Sequence, residues 1–254
     1  MRRLLLLAAV VVVAGCGGGS NSSTSTAPKL TPLVTQGPLD SGPDEVWFYA
    51  AKGKPRSLVI FLHGYGGPTE ETPANHLPWL KHLAAEGSDV IYPRYEVGGS
   101  PNPFPNIQTA VATATQHLGK PHVPVVVIGY SRGGRIAVDY AALRAANGNE
   151  PRLVLTVFPA VYSPHERLVS FKHLDSKLRL AMMIGDKDTS VGGEGARTIL
   201  ARLELANFPP SQIKLIGIKS KGKFKATHLS VLDDSPAARR AFWVPTDRLI
   251  DSVR

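Results

Sequence analysis

The feature that most constrains the fold is an alternation of short apolar runs with longer segments of helical periodicity, which begins after residue 44. Each run has the length of a strand and is apolar at successive positions, which is typical of strands buried on both faces of a sheet. The runs cover 46–50, 57–62, 88–92, 123–128, 153–158, 178–184 and 213–218. The segments predicted as helices cover 74–86, 106–118, 133–146, 192–205 and 236–250. This order predicts an α/β fold with a mostly parallel, doubly wound sheet flanked by helices.

The length of the chain indicates a single globular domain. Its 254 residues, 43% of them hydrophobic, are enough to bury one sizeable core. The run ending at residue 158 and the run starting at 178 are separated by about 20 residues, too few for a separate cap domain. A site next to this connection is therefore expected to be open to solvent.

The N-terminus has the composition of an export signal. A basic start at Met1–Arg3 precedes the apolar stretch 4–13, and Val13-Ala14-Gly15-Cys16 follows. This predicts a signal peptide over residues 1–15. The segment also resembles the lipobox of bacterial lipoproteins, which implies cleavage before Cys16, lipidation of its sulfur, and an exported protein anchored on the extracytoplasmic side of the cell membrane or envelope.

The segment 16–43 is expected to be a flexible tether, because its first half is Gly, Ser, Thr and Asn with almost nothing to bury. The folded domain is then expected to cover residues 44–254. Cys16 is the only cysteine, which excludes an internal disulfide, and no Cys/His cluster has the spacing of a zinc site. We therefore predict no structural metal.

The whole chain has a formal charge of +9, and removal of residues 1–15 with Arg2 and Arg3 would leave +7, which favours an anionic envelope as surroundings. The basic residues are scattered, with one cluster at Lys219, Lys221, Lys223 and Lys225 that is predicted to be a solvated loop. Because nucleic-acid binding needs a clustered basic face, no nucleic-acid partner is predicted.

The chemistry is indicated by Gly129-Tyr130-Ser131-Arg132-Gly133-Gly134, which follows a predicted strand and precedes a predicted helix. A serine on such a tight turn presents its hydroxyl to solvent, and glycines two residues away on either side leave room for the neighbouring strand and helix. The pattern occurs by chance in many chains, but this context makes Ser131 a candidate nucleophile. A structural glycine-rich turn is the alternative.

A serine hydroxyl needs a general base, and the base needs a group that fixes its tautomer. Three histidines follow Ser131: His165, His173 and His228. The first two precede any candidate acid that ends a strand, whereas His228 follows the last predicted strand. His228 is therefore the predicted base.

Two aspartates follow the strand that ends near residue 184, so the acid has two candidates. We predict Asp188, because it lies three residues after Gly185, where the loop can turn its carboxylate back toward the histidine. Asp186 remains the alternative, with an expected role in capping the turn through backbone amides.

Acyl transfer also needs two backbone amides that face the developing oxyanion. The loop His63-Gly64-Tyr65-Gly66-Gly67 follows a predicted strand directly, so the Tyr65 amide is expected to be one donor. The Arg132 amide, at the start of the helix after the nucleophile, is expected to be the other. His63 is interpreted as a residue that braces this loop.

With these motifs in this order, residues 44–250 resemble the α/β-hydrolase superfamily, and in particular its compact esterase and dienelactone-hydrolase-like members. The resemblance implies a serine hydrolase that cleaves a small-molecule or lipid ester, or a related acyl bond, without a cofactor. An envelope acyltransferase on the same fold and a non-catalytic binding lipoprotein are the alternatives. The charge of Arg132 beside the nucleophile suggests either a substrate carboxylate as its partner or a side chain that points to solvent.

Overall fold

The computed structural model describes residues 35–96, 102–120, 122–148, 150–163, 166 and 168–254. The predicted signal peptide, Cys16 and the tether as far as residue 34 lie outside these ranges. Among the described residues, no helix combines the length and the apolarity that a membrane crossing requires.

One eight-stranded sheet organises the chain, in the order β1-β2-β4-β3-β5-β6-β7-β8. The strands from β3 onward run parallel, whereas β2 is antiparallel to both of its neighbours, β1 and β4. Their bounds are β1 Thr35–Leu39, β2 Val46–Tyr49, β3 Ser57–Leu62, β4 Ser88–Pro93, β5 Val125–Tyr130, β6 Leu153–Val157, β7 Arg179–Gly185 and β8 Ile213–Ile218. The predicted fold class is confirmed.

Helices cover both faces of the sheet, because the central strands are apolar on both sides. The helices are α1 Pro68–Glu71, α2 Leu77–Ala85, α3 Phe104–His117, α4 Arg132–Ala145, α5 Glu194–Leu205, α6 Pro236–Ala238 and α7 Val244–Asp251, and a π-helical turn at Arg239–Trp243 joins the last two. The helices α3, α4 and α5 pack on one face, while α2 and the C-terminal segment with α7 pack on the other. Each face therefore has its own apolar core, with β3 and β5 buried between the two.

The sheet begins earlier than the predicted domain boundary at residue 44. Residues 35–39 form β1, which pairs with β2, and Gly42–Asp44 form a 3₁₀ turn. The expectation of a flexible tether up to residue 43 is therefore wrong for its last part. Backbone hydrogen bonds to β2 stabilise this edge strand, although it has few apolar side chains.

The connections at the carboxyl edge of the sheet set up the site. The described part of the β6–β7 connection contains neither helix nor strand. The four lysines of the loop 219–225, named here the lysine loop, are all exposed, as predicted. The parallel strands β3, β5, β6, β7 and β8 end at this edge, and the candidate residues follow those ends.

Candidate active site

Ser131 occupies a strained turn between β5 and α4. Its φ is 53° and its ψ is −120°, in a region that side-chain-bearing residues rarely adopt. The turn is fixed by bonds from the Ser131 amide to Val157 O and from the Ala160 amide to Ser131 O, at 2.9 and 3.0 Å. Both partners belong to β6 or its exit, so the neighbouring strand fixes the serine from the side.

The glycines around Ser131 are required by space. A Cβ on Gly129 would lie 2.1 Å from Gly133 O, and a Cβ on Gly133 would lie 2.2 Å from Leu62 O. Backbone atoms cannot move aside as the end of a flexible side chain can, so any larger residue would force β5, α4 and β3 apart. The glycines thus allow the helix after the nucleophile to begin directly against two strands.

The structure brings the three predicted residues Ser131, His228 and Asp188 into one chain of hydrogen bonds. His228 Nε2 lies 2.9 Å from Ser131 Oγ, and His228 Nδ1 lies 3.0 Å from Asp188 Oδ2. The Asp188 side chain is fully buried, and that of His228 is 13% exposed. With the carboxylate accepting from Nδ1–H, the Nε2 lone pair is directed at the serine hydroxyl, which is the arrangement that general-base catalysis requires.

The two aspartates after β7 have different partners. Asp188 Oδ1 accepts hydrogen bonds from the Ser190 and Val191 amides at 2.9 and 3.2 Å, which leaves Oδ2 for the histidine. The Asp186 carboxylate is exposed and accepts from the Ser220 hydroxyl at 2.6 Å and from the Ser220 amide. These bonds lower the pKa of Asp186, the hydroxyl bond contributing most. Asp186 thus anchors the lysine loop, and of the two aspartates only Asp188 contacts His228.

Contacts that the sequence did not predict hold His228 in place. The Tyr130 hydroxyl donates to His228 O at 3.1 Å, and the two rings lie 5.1 Å apart. Phe158, whose φ of 49° is unusual for a bulky residue, places its ring 6.0 Å from the imidazole. A Cβ on Gly185 would lie 2.3 Å from Ala226 O, so the absence of a side chain there lets the loops of Asp188 and His228 approach each other.

The loop with the predicted oxyanion donor lies against the nucleophile. A Cβ placed on Gly64 would come within 3.2 Å of Ser131 Cβ, and Tyr65 follows with an exposed side chain. Arg132 is the first residue of α4, where backbone amides have no partner within the helix. The two predicted amides, of Tyr65 and Arg132, therefore belong to segments that approach Ser131 from β3 and from α4.

His63 is buried beneath this loop and does not contact the serine. Its Nδ1 donates to Gly64 O at 2.7 Å, and its ring stacks on Tyr95 with 4.4 Å between centroids. Burial lowers the pKa of His63 to about 4, so the ring is neutral near pH 7. This agrees with the expected bracing role.

A second brace follows at α1. The Glu70 carboxylate accepts from Asn75 Nδ2 at 2.7 Å and lies 3.1 Å from His76 Nε2, and the Tyr92 hydroxyl donates to Glu70 O at 2.5 Å. Burial opposes ionisation of Glu70, but the bonds from His76 and Asn75 outweigh it and lower the pKa of Glu70. A Cβ on Gly66 would lie 2.5 Å from Glu70 Cγ, so the glycine lets the loop fold down onto this pair.

The Arg132 side chain has neither of the two roles expected for it. The residue is 8% exposed, and its guanidinium forms ion pairs with Glu96, after β4, and with Glu166, after β6. Arg135 also pairs with Glu166. The charge beside the nucleophile is therefore neutralised inside the protein, and it fixes two loops that flank Ser131.

The other candidate groups lie elsewhere. His173 is exposed, and His165 lies outside the described residues. Within the described ranges, no group of three His, Cys, Asp or Glu side chains could hold a metal ion. A cavity of about 110 Å³ opens beside the oxyanion loop between Gly64, Tyr65 and Glu96. Neither this cavity nor two larger ones, of about 500 and 530 Å³, has Ser131, Asp188 or His228 in its lining.

Comparison with known proteins gives a likeness in structure only, because no family model and no curated protein matches the chain. MGS-M1, an α/β-hydrolase enzyme from a deep-sea metagenome library, is 18% identical over 87% of this chain and 97% of its own, with a TM-score of 0.60. Esterase B of Lactobacillus rhamnosis, solved with a tributyrin phosphonate inhibitor, is 16% identical over 87% and 85%, with a TM-score of 0.62. A Klebsiella pneumoniae protein assigned as a dienelactone hydrolase is 15% identical over 81% and 92%, with a TM-score of 0.55. The described part of this chain therefore has the α/β-hydrolase fold.

Proposed function

We propose that the protein is a serine hydrolase that cleaves carboxylic esters through an acyl-enzyme intermediate. The observation that carries the proposal is the continuous chain of hydrogen bonds from Asp188 through His228 to Ser131, with 3.0 and 2.9 Å between the heavy atoms. A buried carboxylate, an oriented imidazole and a strained serine have no structural need to meet, but acyl transfer requires all three together.

In the proposed reaction, Ser131 Oγ attacks the ester carbonyl while His228 Nε2 accepts its proton. Asp188 stabilises the imidazolium that forms, and the same proton then passes to the leaving alcohol. The tetrahedral oxyanion is bound by the amides of Tyr65 and Arg132, with the positive end of the α4 dipole behind it. Water, deprotonated by His228 Nε2, then attacks the acyl-enzyme carbonyl and forms a second tetrahedral intermediate. As its bond to Ser131 Oγ breaks, the imidazolium returns the proton to Oγ, the acid is released and Ser131 is regenerated.

Labelling with a fluorophosphonate tests the activated serine directly. Wild type is expected to label, whereas Ser131→Ala should not and should lose about 10⁴- to 10⁶-fold in kcat. His228→Ala should lose most of its labelling rate. His173→Ala is the matched control, because that histidine is exposed and does not belong to the hydrogen-bond chain from Asp188 to Ser131. A folded wild type that does not label would favour a binding protein with an inert site.

The acyl group and the acceptor need separate measurements. Hydrolysis of p-nitrophenyl esters of increasing chain length would locate the acyl-length optimum. The same reaction with a competing alcohol separates hydrolysis from transfer: free acid alone supports the hydrolase, and a new ester as the main product would support an acyltransferase.

We also propose that residues 1–15 are removed and that Cys16 carries the lipid anchor. Support comes from the basic, apolar and small-residue order that ends at the only cysteine. Cells grown with an alkyne-bearing fatty acid should incorporate it into the wild-type chain but not into Cys16→Ser. Equal incorporation in both would overturn this assignment.

A further inference from the structure

Three exposed apolar side chains belong to the segments that approach the candidate nucleophile. Tyr65, Val161 and Leu229 are 70%, 50% and 66% exposed. We call these three residues the apolar rim. Single exposed apolar side chains are common, but three of them on segments that meet at one candidate site mark that site as a candidate interaction surface.

Each member of the rim follows a residue that approaches Ser131. Tyr65 follows Gly64, where a Cβ would lie 3.2 Å from Ser131 Cβ. Val161 follows Ala160, whose amide donates to Ser131 O at 3.0 Å. Leu229 follows His228, whose Nε2 lies 2.9 Å from Ser131 Oγ. The rim therefore comes from three separate loops that meet at the serine.

Positive charge lies on the same edge of the sheet. The segment 217–232 contains four lysines and no acidic residue, and all four lysines are exposed. The lysine loop leaves the carboxyl end of β8 and leads directly to His228. It is fixed there by the Ser220 hydroxyl on Asp186, at 2.6 Å, and by the Lys187 amide on Ala226 O, at 3.2 Å.

The cavity at the oxyanion loop is small. The cavity of about 110 Å³ at the oxyanion loop is well below the roughly 300–1,000 Å³ of pockets that enclose a small-molecule ligand. A long acyl chain does not fit in this cavity, so among the described residues the apolar rim is the surface that it would contact. A surface with an apolar centre and a basic margin complements a lipid layer with anionic headgroups.

We propose that the active-site face docks on an anionic lipid surface, and that the ester cleaved at Ser131 is carried in that surface. The apolar rim enters the boundary between headgroups and acyl chains, and the lysine loop contacts the anionic headgroups. The substrate part of this proposal rests on the proposed function, whereas the docking part does not.

Vesicle flotation tests the docking. The full-length Cys16→Ser chain is mixed with phosphatidylcholine vesicles or with vesicles that also contain phosphatidylglycerol, so that no acyl anchor contributes and the N-terminal segment is the same in every variant. Binding should be stronger on the anionic vesicles and should weaken in high salt. Lys221→Gln with Lys223→Gln should lower the affinity about 25-fold, at about fivefold per lysine. Lys177→Gln with Lys214→Gln, the same charge change at the amino edge of the sheet, should have no comparable effect.

The apolar contribution has its own matched pair. Leu229→Gln should weaken binding to both kinds of vesicle. Leu205→Gln changes a leucine that is 82% exposed at the far end of α5 and should not. An equal loss of vesicle binding in a test variant and its control, or no preference for anionic vesicles, would overturn the docking surface. If duplex DNA binds as tightly and Leu229→Gln leaves that binding intact, the charge serves a nucleic acid and the proposal is wrong.

Activity separates the two proposals. For the lysine double variant, the rate on an ester embedded in anionic vesicles, divided by the rate on a soluble short-chain ester, should fall about 25-fold relative to the parent. Hydrolysis of the soluble ester with an unchanged ratio would refute the interfacial substrate and leave the proposed function intact. No hydrolysis of either ester, with flotation as expected, would refute the proposed function and leave the docking surface.

Discussion

Replacing Asp188 by asparagine separates the role of the carboxylate from that of the loop shape. In Asp188→Asn, the amide oxygen can still accept from the Ser190 and Val191 amides, so the loop should keep its conformation. The amide nitrogen then lies where Oδ2 was, 3.0 Å from His228 Nδ1, and donates a proton instead of accepting one. The imidazole must carry its proton on Nε2, which faces Ser131 and can no longer act as a base.

The loss can be estimated from the same distance. A unit charge on the carboxylate and one on the imidazolium, 3.0 Å apart, attract by about 5.5 kcal/mol at an effective dielectric constant of about 20. If this attraction exists only once the proton has moved to His228, its removal raises the barrier by that amount, which is about 10⁴-fold in rate. The measurement is kcat/KM on a soluble p-nitrophenyl ester, with circular dichroism to verify the fold.

Asp186→Asn is the matched control, because it makes the same chemical change two residues away on an exposed side chain. Its kcat/KM should stay within about twofold of the parent. The assignment of Asp188 as the acid would be refuted if kcat/KM fell less than tenfold in folded Asp188→Asn, or if it fell further in Asp186→Asn than in Asp188→Asn.

Three further changes test the support of the site. Gly133→Ala should destabilise the fold by at least about 3 kcal/mol in denaturant unfolding, whereas Gly217→Ala, whose Cβ would meet nothing closer than 3.9 Å, should change it by less than about 0.5. The pKa of His63 is near 6.5 in the unfolded chain and about 4 in the folded protein, so the unfolded state takes up the proton first and the free energy of unfolding falls as the pH drops from about 6.5 toward 4. His63→Gln should remove up to about 3 kcal/mol of the change in this free energy between pH 7 and pH 4. The same pH dependence in the variant as in the parent would contradict the burial argument. Arg132→Met leaves the buried Glu96 and the half-buried Glu166 carboxylates with less compensation and should cost about 3–5 kcal/mol, whereas Arg197→Met, which breaks an exposed pair, should leave the unfolding midpoint within error.

The sequence predicts the central part of the fold well, for a physical reason. Strands such as β3 and β5 are buried on both faces and must be apolar at nearly every position, so they form visible runs. Every predicted run overlaps a strand, with bounds that differ by at most two residues. The edge strand β1, Thr-Gln-Gly-Pro-Leu, has little side-chain signal because it is held by backbone hydrogen bonds to one neighbour.

The candidate site divides in the same way. Ser131, Asp188 and His228 stand in local patterns at strand ends, so the sequence indicates them, although only the structure brings them into contact. The bond from Tyr130 to His228 O joins residues 98 apart, and no local pattern predicts it. The partners of Arg132 likewise come from two remote loops, which is why neither the solvent nor the substrate-carboxylate interpretation anticipated them.

The close packing around Ser131 has a consequence for how related sequences should be interpreted. A Cβ added to Gly129 or Gly133 would lie about 2 Å from backbone atoms, and this holds whether or not the serine is catalytic. A descendant that lost the hydroxyl by mutation would still need both glycines in order to fold. The glycines therefore record inheritance of the architecture, and only the hydroxyl, imidazole and carboxylate together record inheritance of an activity.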